Sequence, residues 1–153
     1  MKRRTFLKGT VAGGMLGVAA SAGLLAPRMV LAEWPESAFD AKNVDDALNA
    51  LFSSTSHSES GDIKIKAPDI AENGAVVPIT VSTGMAAETI SVLIAKNPAP
   101  LACSFDLGSS TEGFVSTRVK MGKTSDLIAI VKSGGKLHSA KKTVKVTIGG
   151  CGG

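Results

Sequence analysis

The fold is decided by a short stretch in which apolar residues alternate with lysines, Asp62-Ile63-Lys64-Ile65-Lys66-Ala67. Successive side chains of a β-strand point to opposite faces of a sheet, so this period of two predicts a strand with one buried face. Before the stretch the apolar period is helical, and after it the period of two recurs toward the end of the chain. The sequence therefore predicts a mainly β protein with a helical segment at its N-terminal side.

The other predicted strands follow at short intervals, with turn residues between them. They cover Val76–Thr83, Thr89–Lys96, Leu101–Leu107, Gly113–Met121, Asp126–Lys132 and Lys136–Ile148. About seven strands with no helical pattern between them are typical of an antiparallel β-sandwich of immunoglobulin-like type. Pro78 has no backbone N–H to donate, so we expect its strand to occupy a sheet edge or to contain a bulge.

Two further segments precede these strands. Trp34–Phe52 has apolar residues at spacings of three and four, which predicts a helix packed on one side of the domain. Ser53–Gly61 is polar and has no period, which predicts a loop. His57 lies in this loop without a second ligand at metal spacing, so we expect a solvated side chain.

The first residues have the pattern of a twin-arginine export signal, followed by an Ala/Gly-rich apolar run. The residues that match the signal are Arg3, Arg4, Phe6, Leu7 and Lys8. We expect cleavage between Ala32 and Glu33, because small or aliphatic residues precede that bond. A membrane anchor is the alternative, and the glycines in the run and the cleavage site disfavour it.

This interpretation divides the chain into three parts and places the mature protein in the periplasm. The parts are a signal peptide over 1–32, an immunoglobulin-like domain over 33–148 and a tail over 149–153. Five of the 17 basic residues and none of the 13 acidic residues lie in the leader, so the mature chain carries a net charge of −1. Net charge therefore gives no argument for binding to nucleic acids or anionic membranes.

The chain ends in a single thiol between two glycine pairs, Gly149-Gly150-Cys151-Gly152-Gly153. Glycine visits most of the allowed backbone conformations, so we expect this tail to be a flexible arm. Buried free cysteine behaves as a small hydrophobe among apolar neighbours, and Cys151 has none. The pattern predicts a thiol that is presented to other molecules.

Nothing beside Cys151 in the sequence activates its thiol. It has no adjacent charged side chain and does not begin a helix. An ordinary thiol with a pKa near 8.5 is only a few per cent thiolate at neutral pH. We therefore expect a passive attachment point, with the chemistry supplied by partner proteins.

The remaining polar residues predict no enzyme active site and no metal site. The sequence contains no nucleophile elbow, no phosphate-binding glycine loop and no histidine pair at ligand spacing. His138 is expected on a strand surface, with the possibility that it neighbours the tail. The basic residues Lys141, Lys142 and Lys145 are expected on a solvated face, or could steer an anion or an acidic partner toward the tail. Cys103 lies in an apolar strand and is expected to pack in the core.

Two stretches and the leader resemble the SoxY family, whose members carry sulfur in the thiosulfate-oxidising Sox system. One stretch is the C-terminal run from Val144 to Gly153, which includes the Gly-Gly-Cys-Gly-Gly terminus. The other is Lys66-Ala67-Pro68-Asp69-Ile70-Ala71-Glu72-Asn73-Gly74-Ala75-Val76-Val77-Pro78. The terminus is specific because it combines position, composition and one cysteine, and the similarity extends over essentially the whole chain.

The resemblance implies a non-enzymatic carrier that holds sulfur intermediates covalently on Cys151, with the four glycines as its arm and no other cofactor. It implies a heterodimer with an immunoglobulin-like SoxZ subunit. It also implies three enzymes: a SoxAX cytochrome that joins thiosulfate to the thiol, a SoxB hydrolase that releases sulfate, and a SoxCD sulfane dehydrogenase where present. No role for Cys103 is implied.

Two other functions remain open from the residues. One is a thiol–disulfide redox protein that uses Cys103 with Cys151, although the chain lacks a Cys-x-x-Cys motif. The other is a structural or adhesion sandwich whose terminal cysteine forms intermolecular disulfides.

Overall fold

The computed structural model describes residues 35–147. The leader, the expected cleavage site at Ala32 and Glu33, and the residues from Ile148 to Gly153 lie outside the described residues. The expected boundaries at 32 and 148 therefore stay predictions.

The helical segment forms two helices where one was predicted, α1 (Glu36–Asp40) and α2 (Val44–Phe52). The break falls at Asn43, whose backbone is extended and whose Oδ1 accepts a hydrogen bond from the Asp46 N–H at 2.8 Å. This N-cap satisfies a free backbone donor and starts a new helix. In residues 35–147 no helix is long and apolar enough to cross a membrane.

All seven predicted strands are present, with ends that differ by a few residues. They are β2 (Ile63–Lys66), β4 (Val77–Thr83), β5 (Thr89–Ile94), β6 (Leu101–Asp106), β7 (Phe114–Val119), β8 (Ser125–Ser133) and β9 (Lys136–Val146). Two short strands were not predicted, β1 (Ser58–Glu59) and β3 (Ile70–Ala71). Each has two residues, too few to show a period, and each forms only because it pairs with β9.

The strands form two sheets that pack face to face as an immunoglobulin-like sandwich. The large sheet has the order β1-β9-β8-β5-β6, with β3 also paired to β9, and the small sheet has the order β2-β4-β7. The core between them is almost purely aliphatic. Its fully or nearly fully buried members include Val77, Ile79, Val81, Ile90, Val92, Ile94, Met121, Leu127, Val131 and Val144.

The helices cover the outer face of the large sheet, as predicted. Ala47 and Leu48 of α2 are fully buried against Leu93, Ile130 and Leu137 of the sheet. The domain therefore has three layers, with the helices and the small sheet on opposite faces of the large sheet. Each layer boundary removes apolar side chains from water, which is the main favourable term in folding.

β4 is the middle strand of its sheet and not an edge strand, but Pro78 itself lies at a local edge, in agreement with the predicted edge position. Pairing with β2 stops at Lys66 and Thr80, whereas pairing with β7 continues past Pro78, which lies opposite Arg118, to Val77. The side of β4 that faces β2 is therefore open at Pro78. A central strand tolerates a missing N–H where one neighbour has already ended.

Candidate functional site

The strand that leads to Cys151 is β9, and it is held as far as the described residues extend. It starts after a two-residue hairpin turn from β8, in which Gly134 and Gly135 both have positive φ. Such turns require positive φ at both positions, which glycine adopts without strain. Val144, near the other end of β9, is fully buried in the core. The strand is therefore fixed by a turn at one end and by the core at the other.

The last residues of β9 are bound along one edge by residues 69–71. The Lys145 N–H donates to the Asp69 carbonyl at 2.9 Å, and the Thr147 N–H donates to the Ala71 carbonyl at 3.1 Å. These bonds surround the short parallel ladder between β3 and β9. Sequence reasoning placed these residues in a family-like stretch and gave them no structural role.

The other edge of β9 is closed by one hydroxyl group. The Val146 N–H donates to Thr124 Oγ1 at 3.0 Å, and the same hydroxyl is 3.5 Å from the Val146 carbonyl oxygen. Val146 is thus held from the β8 side by Thr124 and from the opposite side by β3. We call these residues together, Asp69–Ala71, Thr124 and Val146–Thr147, the arm base.

Gly74 packs closely against the arm base. A side chain at this position would have its Cβ 2.7 Å from Val146 Cγ1 and in conflict with the Met121 carbonyl oxygen. The Met121 N–H in turn donates to the Gly74 carbonyl at 2.7 Å. The sequence shows Asn73-Gly74 as a turn signal, but what demands glycine here is close approach of two other segments.

Of the basic stretch Lys141, Lys142 and Lys145 on β9, two lysines have ion-pair partners. Lys142 Nζ lies 3.0 Å from Asp69 Oδ1 and donates to the Ala67 carbonyl at 2.6 Å, so it also ties β9 to the arm base. Lys141 Nζ lies 3.8 Å from Glu59 Oε1. Within residues 35–147 only Lys145 of this group has no ion-pair partner, and its side chain is exposed. In the described part of the chain, the lysine of this stretch whose charge has no acidic partner is therefore Lys145.

The two histidines lie together, away from the arm base. His57 is exposed, as predicted, and its Nδ1 also lies 2.9 Å from the hydroxyl of Ser139, which is buried. His138 Nδ1 is 3.4 Å from Ser58 Oγ across the β1–β9 ladder. His138 precedes Val146 by eight strand residues, or about 26 Å at 3.3 Å per residue. It does not neighbour the start of the tail.

Cys103 lies in β6 opposite Val92 and packs partly buried against the core. It is a free thiol, and burial raises the pKa of Cys103 to about 11. At neutral pH such a thiol is protonated and a poor nucleophile. The position supports the predicted packing role and counts against a redox pair with Cys151.

Cys151 and its four glycines, Gly149, Gly150, Gly152 and Gly153, lie outside the described residues. Within the described part of the chain, no group of three or more His, Cys, Asp or Glu side chains is placed to hold a metal ion. What residues 35–147 define is a small β-sandwich whose last strand is firmly anchored just before a thiol-bearing terminus.

Comparison with known proteins assigns the family. The family model described as "Sulfur oxidation protein SoxY" matches residues 48–151, a range that ends on Cys151. The chain belongs to the SoxY family. No curated protein sequence shows significant similarity to it.

Solved structures agree with this family. The sulfur carrier protein SoxY from Chlorobium limicola f thiosulfatophilum is 48% identical, with a TM-score of 0.62, and the match covers 68% of this chain and 96% of that chain. A superoxide reductase (neelaredoxin) from Ignicoccus hospitalis is 21% identical, with a TM-score of 0.50, and covers 60% of this chain and 81% of that chain. The second likeness concerns the fold alone.

The arm base yields a prediction for Gly74→Ala. We expect this variant to lower the free energy of unfolding by about 1–3 kcal/mol, because the new methyl group overpacks Val146 and the Met121 carbonyl. Urea unfolding measures this, and amide exchange at Val146 and Thr147 should accelerate. Gly84→Ala is the matched control, since nothing lies within 4 Å of its Cβ position. Equal stabilities of the two variants would contradict the close-packing argument.

Cys103 yields a second prediction, tested in the Cys151→Ser variant, where it is the only thiol. Because the pKa of Cys103 is raised from 9.0 to about 11, iodoacetamide should modify it about one hundredfold more slowly at pH 8 than it modifies the urea-unfolded chain. The rate should rise with pH up to about 11. Rapid labelling of the folded protein at pH 8 would show that the thiol is reactive.

Proposed function

We propose that this protein is a non-enzymatic sulfur carrier in thiosulfate oxidation and that Cys151 is the residue that bonds the sulfur. The observation that carries the proposal is the family match, which runs from residue 48 to Cys151 itself. The similar solved protein is a sulfur carrier in which 96% of the chain aligns with this one. The anchored arm base supports the same function, because it gives a thiol on a short tail a fixed point of attachment.

The length of the tail suits delivery of a thiol into a narrow site. Four residues lead from Thr147 to Cys151, which in extended conformation reach about 13–14 Å at roughly 3.3–3.6 Å per residue. After Thr147 only Ile148 and Cys151 have side chains, because the other residues are glycines. A channel slightly wider than a bare peptide would therefore admit the last five residues.

The first chemical step joins thiosulfate to the carrier. A new S–S bond forms between Cys151 Sγ and the outer sulfur of thiosulfate, the thiol proton is released, and two electrons leave. A c-type cytochrome of the SoxAX kind accepts these electrons. The product is a thiosulfonate on the chain, with the sulfonate group at its far end.

The second step is hydrolysis by a SoxB-like enzyme. Water attacks the sulfonate sulfur, sulfate leaves with the new oxygen, and two protons are released. The electron pair of the broken S–S bond stays on the carrier as a persulfide. A SoxCD-like dehydrogenase, where present, removes electrons from that remaining sulfur while water supplies the oxygen.

The carrier contributes attachment and presentation, and the partners contribute catalysis. Nothing in the sequence around Cys151 activates it, so a partner must lower the barrier to bond formation. We further propose export by the twin-arginine route, action in the periplasm and association with a SoxZ-like subunit. The redox alternative with Cys103 is disfavoured by the raised pKa of that thiol.

The proposal predicts the outcome of Cys151→Ser. The variant should fold as the wild type does, because position 151 lies beyond the last strand, but it should acquire no sulfur adduct. Intact mass after incubation with thiosulfate and the oxidising enzyme measures this, with wild type gaining the mass of one S2O3 unit. Cys103→Ser is the matched control and should load normally. An adduct on Cys151→Ser, or its loss in Cys103→Ser, would refute the assignment.

A second variant tests the arm. Gly150→Val adds a β-branched side chain next to the thiol, which stiffens the backbone and widens the tail. We expect slower loading with an unchanged unfolding midpoint. Gly84→Val makes the same substitution at an open position of the sandwich and should load at the wild-type rate. Loading of Gly150→Val at the wild-type rate would mean that access to the thiol does not require a narrow tail.

A further inference from the structure

The outer face of the small sheet is basic and unpartnered within the described residues. Because side chains alternate along a strand, the residues paired across this face are the exposed or half-exposed ones. They form the rows Lys64–Ser82–Phe114, Lys66–Thr80–Ser116 and Pro78–Arg118. We call these eight residues the basic face.

All charged side chains of this face are positive. Its three charged residues are Lys64, Lys66 and Arg118, and none of its strand positions carries a carboxylate. The ion pairs found among residues 35–147 involve other lysines, namely Lys132, Lys141 and Lys142. Of the carboxylates near the face in sequence, Asp62 and Glu112 lie beside the Phe114 row, and Asp69, three residues after Lys66, is paired with Lys142. Positive charge is therefore most concentrated at the Lys66 and Arg118 end.

That same end leads to the arm base. Lys66 precedes Ala67, whose carbonyl binds Lys142 of β9. On the other edge of the sheet, Arg118 lies three residues before Met121, whose N–H donates to the carbonyl of Gly74, and Gly74 lies close to Val146. Short segments, one on each edge of the small sheet, therefore connect the cationic end of the face to the arm base.

We propose that the basic face is a docking surface for the acidic surfaces of the enzymes that act on the carried sulfur. This inference rests on the proposed carrier function. A molecule bound there would lie beside the arm base, from which the tail reaches about 13–14 Å. Complementary charge raises the rate of encounter and fixes orientation, and it does so without a large buried apolar area.

The composition of the face fits a brief contact better than a permanent one. Its centre is formed by hydroxyl groups, with Thr80 Oγ1 and Ser116 Oγ 3.1 Å apart. Phe114 is its one large exposed apolar side chain, at 55% exposure. Permanent interfaces are larger and more apolar. A carrier that visits enzymes in turn must leave each of them, and charge-driven contacts allow rapid dissociation.

The competing explanation is that lysines on the edge strand β2 only prevent edge-to-edge pairing with other chains. Charge reversal separates the two explanations, because glutamate on the edge also prevents pairing. The test uses the full chain in its complex with the partner subunit and the other proteins of the pathway from the same organism. The rate of thiosulfate oxidation is measured as a function of carrier concentration at low and high salt.

We expect the triple variant Lys64→Glu, Lys66→Glu, Arg118→Glu to raise the KM for the carrier about tenfold or more at low salt, with kcat unchanged. The KM of wild type should rise with salt, and that of the variant should not. The matched control is Lys42→Glu, Lys96→Glu, Lys136→Glu, which makes the same change in net charge at exposed lysines elsewhere. Its KM should stay near that of wild type.

Equal KM values for the two triple variants would overturn the proposal. So would loss of binding to phosphatidylglycerol vesicles in the first variant with no change in KM, since the face would then recognise a membrane. Salt-sensitive self-association of wild type that the first variant abolishes, again with KM unchanged, would identify a second copy as the occupant. Intact mass in the same assay separates the two proposals, because a wild type that never loads sulfur refutes the carrier function whatever its KM.

Discussion

The structure depends on β9 being held along both of its edges. β8 pairs with it from Lys136 to Val144 on one side, while β1 and β3 pair with it at opposite ends of the other side. Thr124 and the Asp69–Ala71 segment extend the hydrogen bonding to Val146 and Thr147. A strand with only one paired edge frays at its end, because each terminal hydrogen bond is then exposed to water. Bonds on both edges keep the strand fixed as far as Thr147, the last residue that the structure describes.

The sequence predicted the parts of this arrangement that repeat and missed the parts that occur once. The alternation of apolar residues such as Ile63, Ile65 and Val81 with polar ones indicates a strand with one buried face, so the seven longer strands could be predicted. β1 and β3 could not, because two residues show no period and pairing with β9 is a long-range event. Asn43 is an N-cap residue type inside a helical pattern, and its signal was present but outweighed by the apolar spacing. The surroundings of Pro78 could not be predicted, because they depend on where β2 and β7 begin and end beside β4.

The sequence draws attention to the candidate thiol, but it gives no sign of the residues that anchor the strand before it. Cys151 stands out from the sequence because glycines isolate it, and the family match reaches it. Gly74, Thr124 and Asp69 carry no comparable signal, since each is an ordinary turn or surface residue until the fold brings it to Val146. The two cysteines also separate by environment. Burial keeps Cys103 protonated, which leaves oxidative chemistry in the proposed mechanism to the terminal thiol.

If the carrier function proposed above is correct, recognition by partner enzymes has to come from outside the segment that holds the thiol. In the proposed mechanism the last five residues offer an enzyme one thiol, the sulfur bonded to it and backbone amides, and these are too few groups to give a specific complex. Adding side chains to the tail would supply contacts but would also widen it. The contacts that distinguish correct partners must therefore come from the folded domain, close enough to the tail to act together with it. The basic face, whose cationic end adjoins the arm base, meets both conditions.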